Sequence, residues 1–202
     1  MMDKKLLPKD FFKNNPLEQI STAMLADFSV EIQLNDKLHS KIEELVEDRI
    51  TDERHNKIAK DRKEVEQLDT GEAVITYMRK DHDNLVDPMF FKKALSMEAE
   101  AAPLIIKRFK TSGHNRFIEL AFRILAKSDK KYAEQLFAEF GEIRNPYAQA
   151  MACLLFGEHN MEETVPFLLK EYDRFRKNYP DKDYHQAPLL ALYILYGEAW
   201  TA

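Results

Sequence analysis

The side chains that could carry chemistry are dispersed along this chain. Its six histidines, His39, His55, His82, His114, His159 and His185, stand singly. None forms His-x-x-x-His or Glu-x-x-His with a partner carboxylate, the spacing that brings ligands to one metal ion from a helix face. Asp81-His82-Asp83 comes nearest to a ligand cluster, but in a solvated turn between helices such residues are ordinary loop residues. Cys153 is the only cysteine, which allows no intramolecular disulfide and no multi-cysteine metal site. It sits in the apolar run Met151-Ala-Cys-Leu-Leu-Phe156 and not at a helix N-terminus, so it reads as a small buried hydrophobe and not as a thiolate nucleophile. Neither Gly-x-x-x-x-Gly-Lys nor Gly-x-Gly-x-x-Gly occurs, so no backbone amides are marked out to cradle a phosphate. A Gly-x-Ser-x-Gly elbow is missing too. No catalytic residue, metal ligand or cofactor is therefore assigned, and no small-molecule substrate is evident.

What the sequence does specify is helices. Of 202 residues, 45% are hydrophobic and 32% charged, enough to bury a core and keep a solvated surface. Only five glycines occur, which favours helices joined by short connections over hairpins or glycine-rich ligand loops. The net charge of -5 is shared unevenly: residues 1–70 hold 12 Lys/Arg against 16 Asp/Glu, and residues 71–202 hold 18 against 19. Neither part is basic, which disfavours nucleic acid as a partner. No stretch approaches the roughly 18 to 20 apolar residues of a membrane helix, and the N-terminus lacks the apolar core of a signal peptide. The expectation is a cytoplasmic protein with no membrane association.

Residues 1–69 read as an N-terminal arm followed by a charged long helix. In the arm, Pro16 suits a first helical turn, and Leu17, Ile20, Met24, Leu25 and Phe28 share one helical face. Such an arm needs a surface to dock on. Residues 35–68 carry a modest apolar stripe, Leu38, Ile42, Leu45 and Val46, continued irregularly by Ile50, Ile58, Val65 and Leu68 and interrupted by charges at 48–49 and 52–54.

Residues 70–202 read as helix pairs that come round again. Pro103-Leu-Ile-Ile-Lys-Arg-Phe109, Glu134-Gln-Leu-Phe-Ala-Glu-Phe140 and Pro166-Phe-Leu-Leu-Lys-Glu-Tyr172 superimpose without a gap at steps of 31 and 32 residues. A period of that size in a helical pattern predicts a stack of two-helix modules, each burying its stripe against its neighbours. The pairs fall near 70–80 with 87–95, 98–110 with 115–127, 130–143 with 146–156, and 162–177 with 185–197. Asp87, Asn115, Asp129 and Asn145 stand where helices should start, and Gly113, Gly157 and Gly197 where they should stop.

The segment Ile143-Arg-Asn-Pro-Tyr-Ala-Gln-Ala-Met-Ala-Cys-Leu-Leu-Phe-Gly157, followed by Glu163-Thr-Val-Pro-Phe-Leu-Leu169, resembles a HEAT-like (armadillo-type) repeat. Pro103 and Pro166 hold the same position in their segments, as in the kinked first helix of that family, while Glu134 replaces the proline in the middle one. The resemblance covers residues 70–198. It implies an all-α fold, a right-handed α-α superhelix of HEAT-like helix pairs with an N-terminal helical arm. Activity is left open by it, because such stacks serve as binding surfaces for unrelated partners.

A candidate surface follows from the second helices. Their outer strip begins with Arg116, Glu119 and Arg123, continues with Tyr147, Ala150 and Leu154, and ends with Ala187, Leu190 and Ile194. The last helix is apolar all round, with Leu189, Leu190, Tyr193 and Ile194, and Trp200 follows it. A terminal module of a stack normally turns a polar face outward, so something should cover this end: the arm, a second copy of the chain, or another protein. The expected partner-binding residues are Arg116, Arg123, Tyr147, Leu154, Leu190, Tyr193, Ile194 and Trp200. The function this supports is a non-catalytic protein-protein interaction or scaffold protein that takes a protein partner or forms a homodimer. The alternative is a DNA-binding or alkylated-base glycosylase-like HEAT-repeat enzyme, for which the resemblance would require a basic groove. Lys107, Arg108, Lys110, Arg116, Arg123, Lys127, Lys130 and Lys131 make residues 107–131 locally basic.

Overall fold

The computed structural model describes residues 7–8, 10–21, 36–47 and 49–196, and among these every regular element is helical. Eleven α-helices follow in chain order: α1 (Phe11–Asn14), α2 (Asp36–Glu47), α3 (Asp52–Glu66), α4 (Gly71–Met78), α5 (Asp87–Ser96), α6 (Glu98–Phe109), α7 (Asn115–Leu125), α8 (Lys130–Ala138), α9 (Pro146–Glu158), α10 (Val165–Asn178) and α11 (Gln186–Tyr196). From α6 onward consecutive helices pack in pairs, α6 with α7, α8 with α9 and α10 with α11. The first members neighbour one another, α4 against α6 and α6 against α8, and so do the second members, α5 against α7, α7 against α9 and α9 against α11.

The capping chemistry behind this order is local. Thr70 starts α4 by accepting from the Ala73 amide, Asp129 starts α8 by accepting from Lys131, and Asn145 starts α9 by accepting from Tyr147. Each satisfies an amide that has no intrahelical acceptor. Other terminal groups are satisfied by the neighbouring pair. Glu100 accepts from the Gly71 amide, Glu98 from the Asp129 amide, and the Ser112 carbonyl from the Asn145 side chain, while His159 Nε2 donates to the Leu125 carbonyl. These links, with that of Arg116 to Asp87, join residues 29 to 34 positions apart.

Several expectations need correction. Residues 35–68 do not form one helix; the chain breaks between α2 and α3, where Thr51 adopts an extended conformation and caps the Arg54 amide. Asp87 is not a cap but the first residue of α5. A 3-10 turn over Asn84–Val86, capped by Asp83, leads into the helix and frees the Asp87 carboxylate for the interior. α7 is capped by His114 Nδ1, which accepts from the Phe117 amide, and not by Asn115.

Gly157 does not stop α9 but lies inside it. A Cβ there would sit 2.7 Å from the Cα of Ala191, so the missing side chain is what lets α9 and α11 approach. The reversal falls instead to Asn160, at φ 50°, with the Met161 amide bonded to the Phe156 carbonyl and the Asn160 amide to the Gly157 carbonyl. Those two bonds close a Schellman motif with asparagine in the left-handed position. Pro166 falls at the second residue of α10, where no N–H is needed, whereas Pro103 is inside α6. Gly197 lies outside the described residues.

Candidate functional site

The residues expected to form one surface divide among three places. The first is a buried polar centre around Asp87. Arg116 Nη2 donates to both carboxylate oxygens at 2.8 Å, and Arg123 Nη1 lies 3.7 Å away from Asp87 Oδ2. His82 Nε2 approaches Asp87 Oδ1 at 3.2 Å, and its Nδ1 faces the Lys80 carbonyl. Helix α5 supplies the carboxylate, α7 both arginines, and the connection between α4 and the 3-10 turn the imidazole. A buried carboxylate requires such partners, since an uncompensated charge in the interior is costly. Arg123 is itself buried, with its guanidinium 5.9 Å from the Phe91 ring. The arginine pair thus holds two helices together and does not border an open strip.

Around this centre the Asp81-His82-Asp83 group separates. Asp81 is 96% exposed and faces Lys57, His82 is buried, and Asp83 pairs with Arg54 at 2.7 Å. The Arg54 guanidinium, aided by the Leu85 amide, holds the Asp83 carboxyl below the usual carboxylate range. Tyr77 stacks on His82 with ring centroids 4.6 Å apart. Its hydroxyl is buried and finds no hydrogen-bond partner among the described residues. Burial, reinforced by the charges of Asp61 and Asp87, pushes that phenol above its ordinary value.

The second place is the junction of α9 with its neighbours. Leu154 and Ala150 are wholly enclosed, and Tyr147 is half-buried with its hydroxyl donating to Glu119 on α7. Cys153 is enclosed in the same helix, and burial together with the nearby Glu171 charge drives its thiol well up. Neither Leu154 nor Cys153 is open to a partner.

The third place is the outer side of α10 and α11, which the arm occupies. Phe12 lies 4.4 Å from the Tyr193 ring, Phe11 packs edge-on against Tyr172, and Ile20 is enclosed by Tyr172, Leu189 and Tyr193, with Leu17 and Leu190 beside them. Polar contacts fix the register: the Tyr172 hydroxyl donates to Asn15 Oδ1, the Tyr193 hydroxyl to the Asn15 carbonyl, and the Ser21 amide to Gln186. Among the three coverings open to the last helix, residues 11–20 of the same chain take this side. Leu190 and Ile194 stay partly buried against the core. Trp200 lies outside the described residues.

A feature that sequence reading does not single out is the direction of α2. Ser40 and Glu44 of this helix line a cleft of about 300 Å³ with Ile50, His55, Ile58, Arg62 and Leu85. At 3.6 residues per turn, Ile42 and Leu45 then point away from the cleft. They are the exposed large hydrophobic residues of the described chain, Leu45 at 65% and Ile42 at 36%. The stripe is visible in the sequence, but only the exposure of Ile42 and Leu45 in the fold shows that it faces solvent.

The local basic run is largely neutralised. Lys110 pairs with Glu139 and Glu142, Lys130 with Glu134 and Glu163, Lys131 with Asp129, and Arg116 and Arg123 with Asp87. Comparison of the chain with family models, with curated proteins and with solved structures finds no match.

Proposed function

We propose that this protein is a non-catalytic, cytoplasmic protein-binding scaffold whose residues 70–198 form a right-handed superhelix of HEAT-like helix pairs. The observation that carries the reading is the apolar pair Leu45 and Ile42, which stands exposed on the side of α2 away from the cleft that Ser40 and Glu44 line. Two large side chains left in water each forgo roughly 1.5–3 kcal/mol of burial, which a docked protein surface would recover. The stacked reading draws support from polar links between residues 29 to 34 positions apart, an interval close to the 31 and 32 residue steps of the sequence.

The Asp87 centre supports binding over chemistry. Its carboxylate is enclosed and bonded to Arg116, with His82 and Arg123 beside it, whereas a general acid or base must come within hydrogen-bond reach of its substrate. The DNA-binding alternative would need a continuous basic track, and most cations of residues 107–131 already face carboxylates.

The test is light scattering on the tagged chain separated by size from cell extract. The scaffold reading expects wild type to run above its monomer mass, as a complex or a homodimer, and the double variant Ile42→Asp, Leu45→Asp to run as a folded monomer. Identical monomeric behaviour of both chains would count against it.

A further inference from the structure

Three cations outside the neutralised set converge on one cleft. Arg79, Lys107 and Arg108 line a depression of about 340 Å³ between α4 and α6, with Glu72, Ile75, Leu104 and Thr111 completing it. The helical period explains the convergence. Glu72, Ile75 and Arg79 are spaced three and four apart along α4 and its C-cap, and Leu104, Lys107, Arg108 and Thr111 repeat that spacing along α6 and just past it. Since α4 and α6 lie side by side, the two stripes face a shared furrow.

The three cationic side chains are exposed, and among the described residues no carboxylate pairs with any of them. Lys110, two residues after Arg108, is by contrast paired with Glu139 and Glu142. Glu72 is the cleft's single acidic residue and is likewise unpaired. Helix C-termini nearby make it less costly to gather these charges without neutralising them. The floor is apolar: Ile75 is buried and Leu104 half-buried.

We infer that this cleft binds an acidic peptide segment, with carboxylates paired to Arg79, Lys107 and Arg108 and an apolar side chain seated on Ile75 and Leu104. Charge complementarity selects the anion, because two guanidinium groups can each grip a carboxylate in bidentate fashion. The apolar floor favours a peptide over a nucleic-acid backbone. Lys110, next along the chain, is already held by Glu139 and Glu142. The inference rests on the scaffold reading and names the chemistry of one partner; it concerns a surface separate from Ile42 and Leu45.

Fluorescence anisotropy with a labelled Glu-Asp-Leu-Glu-Asp peptide at low salt tests it on the full chain. Saturable binding should weaken about tenfold or more in Arg79→Glu and in Arg108→Glu. It should vanish for the Gln-Asn-Leu-Gln-Asn peptide, and it should weaken when the peptide's leucine becomes serine, a change that leaves the protein untouched. Circular dichroism verifies the fold of each variant, and the exposed Lys107→Glu serves if one of the others does not fold. No binding by wild type, equal affinity in the charge-reversed chains, or tighter binding of short duplex DNA overturns the inference. Peptide binding does not involve Leu45, so its failure leaves the scaffold test at α2 intact.

Discussion

The Tyr193 hydroxyl donates to the main-chain carbonyl of Asn15, 178 residues earlier in the chain. The Tyr172 hydroxyl donates to the side chain of the same asparagine, so one residue of the arm ties down α10 and α11 together. Both hydroxyls are buried, where an unmet hydrogen bond is expensive. Asn15→Ala removes the acceptor of Tyr172 and is expected to lower stability by about 1–3 kcal/mol. Tyr193→Phe removes donor and hydroxyl together and leaves only a carbonyl to rehydrate, so it should cost less. Chemical denaturation of the two variants checks the order.

Tyr77 supplies the opposite case. Its buried hydroxyl has no partner among the described residues, although its ring packs on His82 and Phe90. Replacement by phenylalanine keeps the ring and removes the unpaired group. Tyr77→Phe is therefore expected to be neutral or to stabilise by about 1 kcal/mol. A loss larger than that in thermal unfolding would mean the hydroxyl is bonded to something.

The two glycines Gly157 and Gly141 should respond with opposite signs. A Cβ at Gly157 meets the Ala191 backbone at 2.7 Å, while one at Gly141 meets nothing within 4 Å. Gly157→Ala should push α9 off α11 and cost about 1–3 kcal/mol through overpacking. Gly141→Ala should add about 0.4–1 kcal/mol by restricting the unfolded chain. Urea unfolding midpoints of the pair, measured side by side, decide the point.

Acid sensitivity has a named contributor. Arg54 holds the Asp83 carboxyl below its ordinary value. A depressed carboxylate contributes stability that is full above its unfolded pKa of about 3.9 and is lost as pH falls through the lower folded value. Asp83→Asn should therefore be less stable than wild type at neutral pH, and the gap should close at the acid end. Unfolding free energies across that range, with a gap that stays constant, would exclude this contribution.

How much of this is legible in the sequence depends on how local its cause is. Asp129 and Asn145 mark their helix starts because a cap involves only the next turn. The apolar spacing of Leu17 and Ile20 shows an arm that must dock, while Met24, Leu25 and Phe28 lie outside the described residues. Its docking place depends on Tyr172 and Tyr193, far away in the chain. Gly157 looks like a helix stop and is a contact point, because only the approach of Ala191 tells the two apart. Asp87 looks like a cap for the same reason: Arg116, 29 residues on, claims its carboxylate. Of the expected surface, Leu154 is interior and Tyr193 lies beneath the arm, since a helix apolar all round does not declare which side a neighbour takes.

The most direct measurement of the scaffold reading places a photo-crosslinking amino acid at position 45 of the chain expressed at native level, with exposed position 81 as the control. A discrete protein adduct at 45, absent at 81 and lost when Ile42 is replaced by aspartate, is the predicted result. A chain that gives no protein adduct at 45, or the same adducts at both positions, would contradict it.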